Sequence, residues 1–491
     1  MNKFLTLFFL GIVIIYGCRP DDNFTTSSDV RLEFSVDSLR FDTVFTELGS
    51  ATRFFKIFNR NNRPVRVSSI RVEGVDEAFF RINVDGIPGN DQSNIEILAN
   101  DSIWVFAEVT IDPDQPLSAS PFVIEDRILF ETNGNQQSVL LEAWGQNANY
   151  LPNQFSSGVI WSPCTASEIT WDDDKPYVVY GIMVVDNCTL NIPAGTQIYM
   201  HGGITRNTQL GIFNEGIMFV QRNGRLVMNG TLEDPIVIQG DRIEPEFAEQ
   251  PGQWSGIFID NESRRNEMNW VELKNSSLGI VVDSAADLTI RNSKIFNTSS
   301  VGLVGIHSDI TAFNCLLHSN GSNAMQFIFG GEYRISYCTM ASYGVDASAL
   351  SMSNGVCLDD FCSEAAGNDL DIILNNCLIM GSRQDEISIS DFGERTGAEL
   401  DYQFNNCIVR VSELLDPERG GFPDFFSFCE NCTNADRDDV IFRNIDEDDY
   451  HLDTLSIAEN QAFKLNGINF DLDGVERGEN PDIGCYEFVP R

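Results

Sequence analysis

The sequence predicts an all-β protein, a right-handed parallel β-helix preceded by an immunoglobulin-like β-sandwich. Two observations carry this. Residues 30–148 alternate polar and apolar side chains in short runs broken by Asn, Gly, Asp and Pro, and one nine-residue pattern recurs five times between 288 and 410. Phe alone numbers 35 among 491 residues, enough apolar bulk for large cores despite an acidic composition.

The chain begins with Lys3 and an almost wholly apolar run at 4–16. That run is shorter than the about 20 residues of a spanning helix and suits a secretory signal. It ends Ile15-Tyr16-Gly17-Cys18, which resembles a bacterial lipobox. The resemblance implies that residues 1–17 are removed and Cys18 is acylated, an anchor to an outer-membrane lipid bilayer rather than a span. Asp21 and Asp22 resemble the acidic export signal of Bacteroidota surface lipoproteins, which implies an outer-membrane, cell-surface location. Residues 18–29 lack periodicity and read as a flexible tether.

Lys and Arg total 32 against 73 Asp and Glu, a net charge of −41. This excludes nucleic acid and anionic lipid headgroups as docking partners, and weighs against acidic polysaccharides unless a local basic patch exists. With Cys18 acylated, eleven of the twelve cysteines remain, so at least one is free or bonded to a partner.

Residues 30–150 hold roughly seven strand-like runs, among them ATRFFKIFN (51–59), RPVRVSSIRVEG (63–74) and NDSIWVFAEVTID (100–112). That density suits a sandwich, here without a cysteine pair. Asp42-Thr-Val-Phe45, Phe55-Lys-Ile-Phe-Asn59 and Phe130-Glu-Thr-Asn-Gly134 resemble bacterial Ig-like modules, which implies a spacer or binding role.

The body, 155–440, is defined by LTIRNSKIF (288–296), ITAFNCLLH (310–318), YRISYCTMA (333–341), IILNNCLIM (372–380) and YQFNNCIVR (402–410). Spacings of 22, 23, 39 and 30 residues match β-helix coils whose loops swell on one side. Leu288, Ile290, Ile310, Ala312, Ile335, Ile372, Leu374, Tyr402 and Phe404 are expected inward, and Thr289, Thr311, Arg334 and Gln403 outward. Asn292, Asn314, Asn376 and Asn406, with Tyr337 in the same register, suit a sharp left-handed bend and are expected to form an internal amide ladder rather than bind a ligand. Cys315, Cys338, Cys377 and Cys407 follow them, after Ser293, and are expected to be buried free thiols. Outside that register, Cys357 with Cys362, and Cys429 with Cys432, are each candidates for a local disulfide, and Cys164 with Cys188 for a staple in the first coil. The pairing of Cys485 is open.

Three further stretches resemble the opening coils of Bacteroidota pectate-lyase-like proteins: Thr189-Leu190 through Gly195-Thr196, Gly224 through Pro235-Ile236, and Trp254 with Gly256-Ile257. The end of the chain, Asp449-Tyr-His-Leu452 and Asp471-Leu-Asp-Gly474 through Pro481-Asp-Ile-Gly484, resembles that group's closing segment, with Cys485 in place of Ala. The resemblance implies a parallel β-helix, with 441–491 covering its open end as a cap. The DLDG turn lacks EF-loop spacing, so no calcium or other cofactor is expected.

No GxSxG, HExxH, P-loop or Rossmann pattern occurs, and the four histidines form no recognisable dyad. Charged candidates sit at Asp260, Glu262, Arg264, Arg265 and Glu272, and at Asp283, Asp287 and Arg291, matching no catalytic signature. The expectation is therefore a non-catalytic outer-membrane lipoprotein, a rigid binding or scaffold module whose partner is an outer-membrane protein or a glycan, with an accessory subunit of an outer-membrane protein complex as its specific form. The alternatives are a carbohydrate-active β-helix enzyme, lyase or glycosidase, and a surface glycan-binding protein.

Overall fold

The computed structural model describes residues 24–45, 52–74, 79–110, 122–146, 148–153, 156–208, 210–243, 247–419 and 421–490. Cys18, Asp21 and Asp22, and the leader and anchor expectations with them, lie outside the described residues. The chain divides into two units between Ala148 and Asn149.

The first unit holds two five-stranded sheets around one apolar core. One sheet runs Glu33–Phe34, Arg53–Phe58, Ser102–Val109, Phe80–Val84, Ile87–Pro88; the other Ser38–Phe45, Asn135–Gln146, Phe122–Thr132, Val65–Val72, Asp91–Ile97. Neighbours are antiparallel except Ser38–Phe45 with Asn135–Gln146, which are parallel. Period two explains the core: Phe55 and Ile57, Phe80, Ile82 and Val84, and Val105 and Ala107 all point inward. In Val65–Val72 a register shift between Val67 and Ser69 resets the alternation, so Ile70 and Val72 are buried as well as Val65 and Val67. Among the described residues ten strands occur where about seven were expected, partly because the two-residue edges Glu33–Phe34 and Ile87–Pro88 are too short to show a period.

The second unit is a parallel β-helix built from an 11-stranded and a 17-stranded sheet, in which all strand pairs are parallel. The larger sheet is two rows wide, and the long strands Leu303–Phe313 and Met325–Ser336 cross both rows. The stack starts earlier than the sequence indicated: Asn149–Leu151, placed in the sandwich range, pairs with Tyr177–Val179 of the next coil. Period two could not place this boundary, because both units are made of short strands. All nine residues expected inward are buried in one continuous core.

That core is closed at both ends by aromatic side chains. At the start Trp171 stacks on Tyr177 at 4.5 Å, and a Cys164–Cys188 disulfide ties the first coil to the second. At the far end Leu414 and Phe425 are buried, from the short 3-10 turns Glu413–Leu415 and Phe425–Phe428, with the Phe425 ring 5.3 Å from Phe404 and 5.9 Å from Tyr402. The plug is therefore formed by the turns Glu413–Leu415 and Phe425–Phe428, and the cap assigned to 441–491 is corrected.

Segment 441–491 instead runs along the flank of the stack. It reaches from Trp270, which packs against the cluster holding Leu472 and Tyr486, to Asn406, whose amide donates to Gln461 O at 2.7 Å. It lacks a long apolar alternation of its own and is held by two small apolar clusters shared with the helix and by polar contacts to one of its corners.

That corner is the asparagine register. Asn292, Asn314, Tyr337, Asn376 and Asn406 have φ of 50, 53, 52, 56 and 48°, the left-handed bend that Asn tolerates best among side-chain-bearing residues. Amides pair coil to coil at the start, where Asn292 donates to Asn269 Oδ1 at 2.9 Å and Asn314 to Asn292 Oδ1 at 3.1 Å, and at the end, where Asn431 donates to Asn406 Oδ1 at 3.5 Å. Tyr337 then interrupts the chain of amides. Asn314, Asn376 and Asn406 donate to Phe470 O, Phe463 O and Gln461 O at 2.7, 2.8 and 2.7 Å. The expected internal ladder is in large part a seam that fastens the C-terminal segment.

The thiols have a local reason for their register. Cys315, Cys338, Cys377 and Cys407 donate to the carbonyl two residues before, at 3.4, 3.4, 3.3 and 3.4 Å, as the Ser293 hydroxyl does at 2.7 Å. Each of these carbonyls also accepts a backbone N–H from the coil before it, so the small side chain adds a second, weaker bond at the bend. All four are buried and reduced. Burial pushes the Cys338 and Cys377 thiols far up, so no thiolate is available to react. Asn431 (φ 53°) and Cys432 continue the register, since Ile408 pairs with Thr433. The sequence signal, Asn-Cys in FCENC, was hidden by its likeness to a CxxC motif. Cys429 and Cys432 are free thiols at the stack's end, while Cys357 and Cys362 are disulfide-bonded; Cys485 is a buried free thiol. Alkylation of the native protein is expected to label Cys429 and Cys432 first and to spare Cys315, Cys338, Cys377, Cys407 and Cys485 until unfolding. Rapid native labelling of any of these five, read by peptide mass, would contradict the register.

Candidate functional site

One outward column of the 17-stranded sheet, which opens with Glu168 opposite Thr189, carries charge on seven successive coils from Arg225 onward. Thr189 pairs with Arg225. Val227 opposite Glu267 sets Arg225 against Arg265, and Asn266 opposite Leu288 sets Arg265 against Asp287. From there the register continues Asp287, Asp309, Glu332, Asp371, Asp401. Two arginines are thus followed by five carboxylates, one per coil, at a coil spacing of about 4.8 Å.

The basic end is a pocket of about 420 Å³ whose lining includes Arg222, Arg225, Arg264 and Arg265, with Asn187, Thr189 and Asn223. Arg225 donates to Glu267 at 2.6 Å and to the Arg265 carbonyl at 2.6 Å. Arg222 pairs with Glu262, and Arg264 lies 3.6 Å from Asp287. Arg265 is exposed and has no ion-pair partner among the described residues. This is the local basic patch that the net charge left open. Of the residues singled out from sequence, it brings together Glu262, Arg264, Arg265 and Asp287; Glu272 lies on another face, paired with Lys294 at 3.2 Å.

The acidic end is less compensated. Asp371 binds Arg334 at 2.5 Å, whereas Asp309, Glu332 and Asp401 have no ion-pair partner among the described residues. Burial, then the neighbouring Glu332 and Asp287, holds the Asp309 carboxyl above its ordinary range. Like charges at the coil spacing repel by on the order of 1 kcal/mol even in water. The sequence carried the signal for this column: each of the five repeats is preceded by an acidic residue, at 287, 309, 332, 371 and 401. Reading the repeat only for its apolar period missed it. The Asp309→Asn/Glu332→Gln pair is expected to raise stability by roughly 0.5–1 kcal/mol in thermal unfolding, because it removes repulsion. No gain, or a loss, would mean that the carboxylates are neutralised within the fold.

Three histidines do pair with carboxylates that lie far away in sequence, His318 Nδ1 lying 3.3 Å from Asp448 Oδ1. His201 Nδ1 is 2.6 Å from Asp241 Oδ2 and its ring lies 4.5 Å from Tyr180. Nearby, buried Glu215 accepts from Ser157 Oγ at 2.5 Å and Gly158 N at 2.6 Å. His451 is held on both ring nitrogens, by Asp449 at 2.6 Å and Asp473 at 2.7 Å, and stacks on Tyr486 at 4.1 Å. With neither nitrogen open, His451 is a clamp for the C-terminal segment. In the DLDG turn, Asp471 accepts from Asp473 N, Val475 N and Glu487 N at 2.9, 2.7 and 2.7 Å, so its oxygens organise the turn itself. Among the described residues no cluster of three His, Cys, Asp or Glu side chains is arranged to hold a metal ion.

Residues 163–287 match the family described as pectate-lyase like beta helix domain. The chain thus carries a pectate-lyase-like parallel β-helix domain preceded by β-sheets. No curated protein matches it. Among solved structures it is similar to the catalytic domain of a GH87 alpha-1,3-glucanase, at 11% identity over 72% of this chain and 81% of that one, with a TM-score of 0.21. It is also similar to a family 123 glycoside hydrolase from Clostridium perfringens, at 9% identity over 24% of this chain and only 26% of that one, TM-score 0.18. A third likeness is to a PapD-like domain of human CEP192, at 14% identity over 28% of this chain and 97% of that one, TM-score 0.18. At these scores none of the three bears on the chemistry of this chain.

Proposed function

We propose that the protein is a non-catalytic, lipid-anchored module of the bacterial outer membrane. Cys18 would hold it to the bilayer, and the β-helix would be a rigid face for a partner, either an outer-membrane protein or a surface glycan. The lipobox-like IYGC and the Asp21-Asp22 pair support the location. The observation that carries the binding role is the charge-sorted column, from Arg225 and Arg265 through Asp287, Asp309, Glu332, Asp371 and Asp401. Uncompensated carboxylates on adjacent coils cost stability, and a partner of complementary charge would recover it. The test is recovery of the native protein from its own membrane in mild detergent. Co-purification of one outer-membrane protein or glycan, lost in Arg225→Glu/Arg265→Glu or Asp309→Asn/Glu332→Gln, is the expected result. Unchanged recovery in both variants would remove the column from the interface.

A second reading, a carbohydrate-active enzyme, is favoured by one observation: the raised carboxyl of Asp309 beside Glu332 has the character of a general acid next to a carboxylate. Depolymerisation of a glycan panel, abolished in Asp309→Asn, would establish it in place of the scaffold.

A further inference from the structure

The insertions at 343–369 and 381–401 build one prop. Gly355–Cys357 pairs antiparallel with Ala365–Gly367, forming a hairpin whose strands lie beside Met325–Ser336 of the coil stack. Its base is pressed against the short helix Gly393–Thr396 and the residue before it. A Cβ at Gly355 would lie 2.6 Å from Phe392 Cβ, and one at Gly367 2.5 Å from Thr396 Oγ1, so only glycine permits this approach. Buried Asn354 ties both insertions together, donating to Asp391 Oδ1 at 2.8 Å and accepting from Phe392 N at 2.7 Å.

The tip, Cys357-Leu-Asp-Asp-Phe-Cys362, leaves Phe361 94% and Leu358 61% exposed. A flexible loop would fold such side chains onto the nearest apolar surface, but this one is held open. The Cys357–Cys362 disulfide closes it. Asp359 accepts from Ser363 Oγ at 2.6 Å and from Glu364 N, Phe361 N and Ser363 N at 2.6, 2.9 and 3.0 Å; these bonds, that from the Ser363 side chain foremost, keep its carboxyl below the usual range. Arg395 donates to Cys362 O at 2.7 Å and reaches its Sγ at 3.0 Å. An aromatic displayed on a rigid loop is the form of an interface anchor, because little side-chain or loop entropy is left to lose on binding. Asp360, Glu364 and Glu394 are exposed around it. This acidic rim opposes an anionic lipid surface and favours a basic one.

We propose that the 357–362 tip is a preorganised docking knob, which inserts Phe361 into an apolar pocket with a Lys/Arg rim on a protein partner. The inference rests on the scaffold reading and narrows its partner to a protein. The test uses the full-length protein in its native membrane, with the photo-reactive change Phe361→p-benzoyl-phenylalanine and the same label at exposed Asp346 as control. The expected crosslink is to one protein, through an apolar peptide flanked by Lys or Arg. Phe361→Ala is expected to reduce recovery of that protein by about 30-fold, the fold-change of a ~2 kcal/mol anchor, without moving the melting temperature. Cys357→Ser/Cys362→Ser should reduce it less, by loosening the loop. Crosslinks to lipid, to an acidic or wholly polar segment, or no more than at Asp346 would overturn the proposal. If recovery survives Phe361→Ala but is lost in Arg225→Glu/Arg265→Glu, the scaffold reading stands and the knob falls. If the unaltered protein brings down no partner, both fall.

Discussion

Replacing Arg477 with Ala is expected to lower the stability of the second unit by about 3–5 kcal/mol, the usual cost of breaking a buried ion pair from one side. The Arg477 side chain has no exposed surface. One guanidinium nitrogen donates to Glu487 Oε1 at 2.6 Å and the other to Asn314 Oδ1 at 2.9 Å and Gly484 O at 3.0 Å. Its Cζ lies 3.9 Å from the centroid of the Tyr337 ring. This one side chain therefore joins the C-terminal segment to two corners of the helix, and alanine would leave Asn314 Oδ1 without this donor and the Glu487 carboxyl with the Asp482 N–H but no cation. Arg477→Lys should rescue only part, because a single ammonium cannot reproduce the fork. The defect also has a pH signature. Burial pushes the Glu487 carboxyl up to about 7 from its ordinary 4.5, so the folded state holds this proton more tightly than the unfolded chain. Its contribution to stability therefore falls as pH rises from 4.5 through 7. Without Arg477 the folded carboxyl is still harder to ionise, so the deficit of the variant should widen as pH rises through 7. Denaturant unfolding at pH 5 and pH 8 checks this. An equal deficit at both would mean that Glu487 finds another cation.

Phe425→Ala is the second large effect, about 3–5 kcal/mol for removing a fully buried aromatic. Its consequence differs from that of Arg477→Ala. Phe425 covers Tyr402 and Phe404 in the last inner row, and behind it only Cys429–Glu430 and Thr433–Asn434 remain as strand edges. An uncovered parallel edge with an apolar bore is a template for another chain. The variant is expected to associate end to end, seen as concentration-dependent species in sedimentation, and to label at Cys407 under native conditions. Arg477→Ala should leave it monomeric with Cys407 protected. Association in the arginine variant and not in the phenylalanine variant would return the capping role to 441–491.

Much of the architecture was legible because a β-helix repeats its chemistry. Inward Leu288, Ile310, Ile372 and Tyr402, the left-handed bend at Asn292, Asn314, Asn376 and Asn406, and the thiols behind it each recur at one register. What recurs can be read from one chain. The acidic column was equally legible, one residue before each repeat, and was missed only because charge was not aligned with the apolar period. The seam was not legible. Nothing in Asn314 announces a carbonyl at Phe470, 156 residues away, nor in Asp241 a histidine 40 residues earlier.

The sequence by itself determined the coil, its core and its bends, since these are set by period two, by side-chain volume and by the few residues that accept positive φ. Only the tertiary structure decided which segment plugs the bore, which one runs along the flank, and that two insertions meet to hold Phe361 in water. Those outcomes rest on single contacts between distant residues, and a contact made once leaves no period to read.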